Sequence, residues 1–243
     1  MQAVMITMEG REDSAFVTAE RLTGADISTE IFIQPKSWPV GGESNNKNSV
    51  RALAWAMKHV EGPGLLFVED DIEIKPDRMK RALAAATGLA EVMYFYMHDI
   101  VPRTGNYPDE KIIHEMIKQD QYHKARFPAW VEKQVFPEGV RLMKKDTRMF
   151  GAQCVYIPKP YVRFLHAHMT QGYTYSDKIK SKPTQAIDTS LNNWRASNGL
   201  SAYTYLPHPV QHLQNRERRE GGRRDVYSIS YNIVSDLEVG DGV

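Results

Sequence analysis

Leu65-Leu66-Phe67-Val68-Glu69-Asp70-Asp71-Ile72 runs from four apolar residues straight into three carboxylates. Apolar side chains at successive positions mark a strand covered on both faces, as in a buried parallel sheet. In open α/β sheets, ligands bind beyond the carboxyl ends of the strands. Three adjacent negative charges repel one another unless a cation or hydrogen-bond donors neutralise them. Hard oxygen ligands suit Mg²⁺ or Mn²⁺, ions that share their coordination with phosphate oxygens. The plainer alternative is a solvated turn whose acids favour the start of the helix that Pro76 opens.

Outward from this strand, short apolar runs alternate with helical periodicity, which predicts an α/β fold. Toward the N-terminus, strands are expected at Ala3 to Thr7 and Ile31 to Ile33, with a helix from Arg11 to Leu22 between them. Val50, Leu53, Ala54, Met57 and Val60 give a helix over Asn48 to Val60, capped by Asn45 or Asn46 and stopped by Gly62-Pro63-Gly64. On the other side, a helix follows Pro76 through Ala86, and a strand is expected over Val92 to Met97. The pattern then weakens from Asp99 to Arg148, a stretch too long for a plain connection and read as an insertion or lid with a helix at Ile112 to Gln121. A strand at Ala152 to Ile157, helices at Tyr161 to His168 and Thr184 to Ser197, a polar loop at Gln171 to Lys182 and a strand at Tyr203 to Leu206 complete the pattern.

The chain has 243 residues, enough for a sizeable core in one large domain. Apolar residues are 42% and charged residues 25%, the balance of an ordinary globular protein rather than a disordered or collagen-like chain. No apolar run approaches the about 20 residues of a membrane helix, and the first ten residues lack the basic flank of a signal peptide. The single cysteine, Cys154, excludes an internal disulfide and a cysteine-based zinc site, and it is expected to be buried packing. A cytoplasmic location is therefore expected. The net charge of +1 leaves any nucleic-acid preference to local patches.

A second motif is Leu206-Pro207-His208-Pro209-Val210-Gln211-His212. A histidine in a proline-braced loop can give an imidazole nitrogen to a divalent metal. Spacing alone does not choose between His208 and His212, and a lone histidine is more often core or surface.

Phe67-Val68-Glu69-Asp70-Asp71-Ile72-Glu73-Ile74-Lys75, followed by Pro209-Val210-Gln211-His212, resembles the metal-dependent GT-A glycosyltransferases. The nearest likeness is to the N-acetylglucosaminyltransferase IV-like family. It takes in the first strand with its Arg11 loop and the Asn48-Ser49-Val50-Arg51 helix, over residues 1–75 and 150–213. The sequence departs from that pattern at Leu213-Gln214, where a small residue often follows the histidine. The resemblance implies a Rossmann-like mixed sheet flanked by helices. It also implies a single catalytic domain over 1–213, divided into a nucleotide-sugar half (1–98), the insertion (99–148) and an acceptor half (149–213), with a charged extension at 214–243.

The resemblance further implies that Asp71 and His212 ligate Mn²⁺ or Mg²⁺ and that Glu69 or Asp70 lies near the ribose. Thr7 and Arg11 line the pocket of a nucleotide-sugar, most naturally a UDP-sugar, and Arg51 touches base or phosphate. An inverting transfer needs a carboxylate base on the acceptor side, and Asp188 fills that place, with Asp177 in reserve. Asp188 is equally a first-turn acid facing a helix dipole, and Arg51 equally an exposed helix residue.

For the acceptor, three basic stretches stand out: Arg141, Lys144, Lys145 and Arg148; Lys178, Lys180 and Lys182; and Arg216, Arg218, Arg219, Arg223 and Arg224. Tyr173, Tyr175, Trp194 and Tyr203 are near them in sequence. Such stretches suit phosphate contact with base stacking, and equally a solvated face. Together with the absence of an anchor, they resemble phage-type enzymes that glycosylate a hydroxymethylated base in DNA. A cytoplasmic glycan or protein hydroxyl is the competing acceptor. A metal-dependent nucleotidyltransferase and a non-catalytic binding module are the readings from other classes.

Overall fold

The structure is a computed structural model that describes residues 1–38, 42–96, 135–143, 153–170, 187–212, 234–235 and 237. The N-terminal part alternates β1 (Gln2–Met8), α1 (Glu12–Gly24), β2 (Ser28–Gln34), α2 (Gly42–His59), β3 (Gly64–Glu69), β4 (Ile72–Ile74), α3 (Pro76–Leu89) and β5 (Met93–Tyr94). The rest comprises β6 (Val135–Phe136), β7 (Gly139–Leu142), β8 (Cys154–Pro158), α4 (Lys159–Thr170), α5 (Ile187–Ser197), β9 (Tyr203–Leu206), β10 (Val210–His212) and β11 (Val234–Ser235).

Seven strands form one mixed sheet in the order β2-β1-β3-β8-β5-β9-β7. Strand β1 lies parallel to β2 and β3, whereas β8 runs antiparallel to both β3 and β5, and β7 antiparallel to β9. This is the α/β class, a mixed sheet flanked by helices, that the sequence leads one to expect. The reading of Leu65–Val68 as a buried parallel strand holds on its β1 edge, while on its other edge β8 is antiparallel. Continuous burial shows that both faces are covered, but carries no information on the direction of the neighbour across each edge.

Alternation along each strand divides the core into two layers. Val4, Ile6, Leu65, Phe67, Val155 and Ile157 face Leu53 and Ala56 of α2, Leu165 of α4 and Leu191 and Trp194 of α5. Ala3, Met5, Leu66, Val68, Cys154 and Tyr156 face Ala15 and Leu22 of α1 and Met79, Leu83 and Ala86 of α3. Gly64 is required at the start of β3, because a Cβ there would stand 2.5 Å from the Tyr156 ring. Cys154 is buried, and burial pushes its thiol pKa up, which leaves it as packing rather than a nucleophile.

Several boundaries differ from the expectation. Helix α2 begins at Gly42, so Asn45 and Asn46 lie inside it rather than capping it. The pairing at Val92–Met97 is confined to Met93–Tyr94, and Met97 is outside the described residues. Gly139–Leu142, inside the stretch read as an insertion, is the edge strand β7 of the main sheet, and β6 of that stretch pairs with β11 near the C-terminus. The helix expected at 112–121 and the loop at 171–182 lie outside the described residues.

Candidate functional site

The site is built on the carboxyl ends of β1 and β3. Gly10, at φ 91°, turns the chain from β1 into α1 in a left-handed conformation that favours glycine. Arg11 is then the residue that precedes α1, and its guanidinium is brought back over the end of β3. Its Nη2 lies 2.8 Å from Asp70 Oδ1 and 2.8 Å from Asp71 Oδ2, so one cationic nitrogen bridges two adjacent carboxylates. Thr7, on the last turn of the pleat of β1, donates its hydroxyl to Asp70 Oδ2 at 2.5 Å.

The main chain of the acidic turn is held as firmly as its side chains. Thr18 of α1 donates to the carbonyl of Asp70 at 2.9 Å, and Arg21 Nη1 donates to the carbonyl of Ile72 at 3.0 Å. The backbone N–H of Glu69 donates to the carbonyl of Gln153 at 2.9 Å, which links the end of β3 to the entry of β8. Thr18 was not singled out in the sequence. Its only signal is a hydroxyl at a position where the buried stripe of α1 otherwise carries Ala15 and Leu22.

Asp70 and Asp71 differ in environment. The Asp70 side chain is 2% exposed and that of Asp71 18%. Burial pushes the Asp70 pKa above the usual carboxylate value, with the Asp71 charge adding to the rise and the Thr7 hydroxyl and Arg11 opposing it. Asp70 is thus a buried anchor, and Asp71 is the acid at the rim.

The second motif meets the first through the backbone. Strands β4 and β10 pair antiparallel with His212 opposite Ile72, Gln211 opposite Glu73 and Val210 opposite Ile74. The main chain of His212 therefore lies beside the residue that follows Asp71, across 140 positions of sequence (212 minus 72). The side chain of His212 is outside what the structure describes.

His208 is a core residue. It is 1% exposed, and burial with the neighbouring Arg78 charge pushes its pKa down to about 3. The Thr204 hydroxyl donates its one proton to the carbonyl of Tyr94 at 2.9 Å, so the His208 Nε2 at 3.2 Å is the N–H donor to Thr204 Oγ1. An imidazole nitrogen used in this way is not offered to a metal.

Arg51 lies further along the same sheet edge. Its Nη1 donates to the carbonyl of Ile33 and to Asn48 Oδ1, both at 3.3 Å, and its guanidinium carbon is 5.7 Å from the centre of the Trp38 ring. Asn48 is buried and spends its two amide hydrogens on the carbonyls of Phe32 at 2.7 Å and Thr7 at 3.2 Å, tying β2 to β1. Asp188 is the second residue of α5, a helix packed on the opposite layer from α1, and its side chain is not described. Asp177 is outside the described residues. Of the aromatic residues near the basic stretches, Trp194 is 4% exposed and packs edge-on against Tyr161 in the core, so it is not a stacking platform. Apart from Arg141 on β7, the basic stretches lie outside the described residues.

Among the described residues no group of three or more His, Cys, Asp and Glu side chains is arranged to hold a metal. Two carboxylate oxygens, from Asp70 and Asp71, do converge on one cationic nitrogen, and hard anionic oxygens converging on a single position are what a magnesium- or manganese-like ion needs. The donor chemistry at the rim fits such an ion, with Asp71 as the accessible member. No helix among the described residues is long and apolar enough to cross a membrane.

No family model and no curated protein matches the chain. Its structure is similar to the A197 protein from STIV, at 8% identity and a TM-score of 0.43 over 88% of this chain and 85% of that one. It is also similar to a glycosyltransferase involved in the glycosylation of the major capsid of PBCV-1, at 8% identity and a TM-score of 0.35 over 75% of this chain and 70% of that one. Likenesses of this depth carry nothing about substrate or mechanism.

Proposed function

We propose that the chain is a metal-dependent glycosyltransferase of the GT-A type that moves a sugar from a nucleotide-sugar to an acceptor hydroxyl with inversion. The observation that supports this most is the β4–β10 register, in which the Gln-His motif runs beside the Glu-Asp-Asp turn. Asp71 and His212 would hold Mn²⁺ or Mg²⁺, and the ion, when bound, supplies positive charge to the leaving diphosphate. Arg11 adds a second positive charge on the same side, pre-placed by Asp70. Thr7 orients Asp70 through its hydroxyl, and Glu69 at the end of β3 faces the donor's ribose. Arg51 and Trp38 offer a cation and an aromatic face for the base of a UDP-sugar.

On the acceptor side, Asp188 takes the proton from the attacking hydroxyl as the new C–O bond forms and the anomeric bond to the diphosphate breaks. The acceptor we favour is a hydroxymethylated base in DNA, because of the basic stretches at 141–148, 178–182 and 216–224. Flipping the base into the site costs about a few kcal/mol.

The first experiment needs no acceptor. A panel of sugar nucleotides is incubated with the protein and Mn²⁺, and nucleoside diphosphate release is measured. Release from one donor, lost in Asp71→Ala and in His212→Ala while their far-UV spectra are unchanged, is expected. Wild-type release in either variant removes that ligand, and pyrophosphate release from nucleoside triphosphates in place of donor hydrolysis makes the chain a nucleotidyltransferase. Asp188→Asn keeps donor binding and loses transfer; full turnover in it removes Asp188 as the base. Binding to duplex DNA that does not weaken with added salt counts against the DNA acceptor.

A further inference from the structure

The two helical layers differ in charge. On one side, α1 and α3 carry Glu12, Asp13, Glu20 and Asp77, and the cations Lys80 and Arg81 are paired with Asp26 and Glu138. On the other side, α4 has no acid at all, and α2 has none from Asn46 to His59. Lys58, Lys159 and Arg163 are exposed on that side. Among the described residues none of the three makes an ion pair or a hydrogen bond through its side chain. Repulsion among unpaired cations on one face is relieved when a polyanion covers them.

Aromatic rings stand among these cations. Half-buried Trp55 stacks on the exposed ring of His59, with centroids 4.8 Å apart and planes 25° from parallel. Phe164 follows Arg163 and is 59% exposed. The backbone N–H of Lys159 donates to the carbonyl of Pro63 at 2.9 Å, so α4 begins beside the end of α2. Arg163 and Phe164 then lie about 6–8 Å up α4 from that junction. Cations interleaved with open rings suit a nucleic-acid strand whose bases are free to stack. A paired duplex has its base faces already covered and could use only the charges. A bilayer needs a broader apolar face than Phe164 and Met57 provide.

We infer that the outer face of α2 and α4 is a docking surface for single-stranded DNA, with Lys58, Lys159 and Arg163 on its phosphates and His59 and Phe164 against its bases. The choice of DNA rests on the acceptor reading given under Proposed function, and the inference adds the form of that acceptor: an unpaired strand rather than a duplex. Helix α5, which carries Asp188, belongs to the same layer as α2 and α4, so a strand lying on this face reaches the sheet edge from the side of the proposed base. A base in an unpaired strand is already free of its partner, which removes most of the cost of flipping it.

The test is fluorescence anisotropy of a labelled DNA 12-mer, as a single strand and as its duplex, titrated with the full chain over a range of salt. The single strand is expected to bind about tenfold or more tightly than the duplex. The double variant Lys58→Glu, Arg163→Glu weakens single-strand binding about tenfold or more and lowers the slope of log affinity against log salt by about 1.4, two phosphate contacts at about 0.7 each. Phe164→Ala weakens the single strand about fivefold or more and leaves the duplex unchanged. All three side chains are exposed, and thermal melts verify the fold of each variant. A duplex bound as tightly as the strand, or variants that bind like wild type, overturns the docking surface. Tighter binding of the matching RNA strand overturns the choice of DNA. Capture of phosphatidylserine vesicles, lost in the same variants and with no DNA bound, makes the face a membrane contact instead. Donor hydrolysis by the wild-type protein is scored alongside: hydrolysis without strand binding removes only this inference, and strand binding without hydrolysis keeps the surface and removes the transferase reading.

Discussion

Thr7→Val tests whether the hydroxyl of Thr7 holds Asp70 or waits for a ligand. The two side chains differ by one atom pair, a methyl for a hydroxyl, so the pleat of β1 is undisturbed. The bond lost is a donor to a buried carboxylate, with Thr7 6% and Asp70 2% exposed. Hydrogen bonds to charged groups contribute about 1.5–3 kcal/mol. A buried methyl in place of a buried hydroxyl returns roughly 1 kcal/mol. The net loss is about 0.5–2 kcal/mol, or a fall in Tm of roughly 1–8 °C for a chain of this size.

The loss has a pH signature with a definite sign. Asp70 has a folded pKa above its ordinary value of 3.8, so its contribution to stability is fully present below the unfolded pKa and is lost as pH rises through the folded one. The Thr7 bond opposes that rise by favouring the ionised form. Without it the folded pKa climbs further, and more stability is lost at neutral pH. The deficit of Thr7→Val relative to wild type is therefore larger near neutrality than in acid. Urea denaturation followed by circular dichroism at both ends of that range measures it. Equal stability of the two proteins, or a deficit of the same size in acid and at neutrality, would refute the assignment of this hydroxyl to Asp70.

Two further predictions concern buried groups away from the rim. His208, with its folded pKa pushed down to about 3 from 6.5, contributes stability above the unfolded pKa that is lost as pH falls toward the folded one. His208→Asn should lose less stability than wild type over that fall, and parallel pH–Tm curves for the two proteins would contradict it. Glu138, whose side chain is 0% exposed, accepts from Arg81 Nε at 2.7 Å, Arg81 Nη2 at 3.0 Å and the Tyr205 hydroxyl at 2.7 Å, joining the residue before β7 to α3 and β9. Removing one partner of a fully buried pair costs about 3–5 kcal/mol, and the partial exposure of Arg81 lowers this to about 2 kcal/mol for Arg81→Met. Adding Glu138→Gln should recover part of the loss in urea denaturation, because the stranded charge is then gone; no recovery would mean that the charge is not the cause.

The parts of the fold that were legible in the sequence are those whose burial is written in consecutive residues. Leu65 to Val68 and Val155 to Ile157 are buried on both faces, and their apolar runs announce them. Strand β7 is half exposed along Gly139–Leu142, and its neighbours in sequence give no apolar run, so it reads as loop. Strand β2 is an edge strand whose Ser28 and Glu30 are polar, which shortens the apparent strand to Ile31–Ile33. The acidic turn itself was legible, but the division of labour within it depends on Thr7, Arg11 and Thr18, which reach it from 52 to 63 positions away. Likewise nothing in Pro207-His208-Pro209 says that Thr204 has already given its proton to Tyr94. Contacts of that kind are set by which strands become neighbours, and strand order is the part of a mixed sheet that local pattern does not carry.

Strand alternation explains why three adjacent acids cannot share one role. Leu65 and Phe67 belong to the layer of α2, α4 and α5, and Glu69 continues their side of the sheet. Leu66 and Val68 belong to the layer of α1 and α3, and Asp70 continues theirs, where Thr7, Arg11 and Thr18 receive it. Asp71 comes after the strand has ended and before β4 begins, so it is committed to neither layer. A donor seated against Arg11 and Asp71 is thus approached from the α1 side, while Asp188 rides on a helix of the other layer. The two can act on one bond only over the carboxyl edge of the sheet, where Glu69 stands. On the function proposed above, Glu69 would stand between donor and acceptor, and the proposed base would depend on a substrate that spans the edge rather than on any contact between α1 and α5.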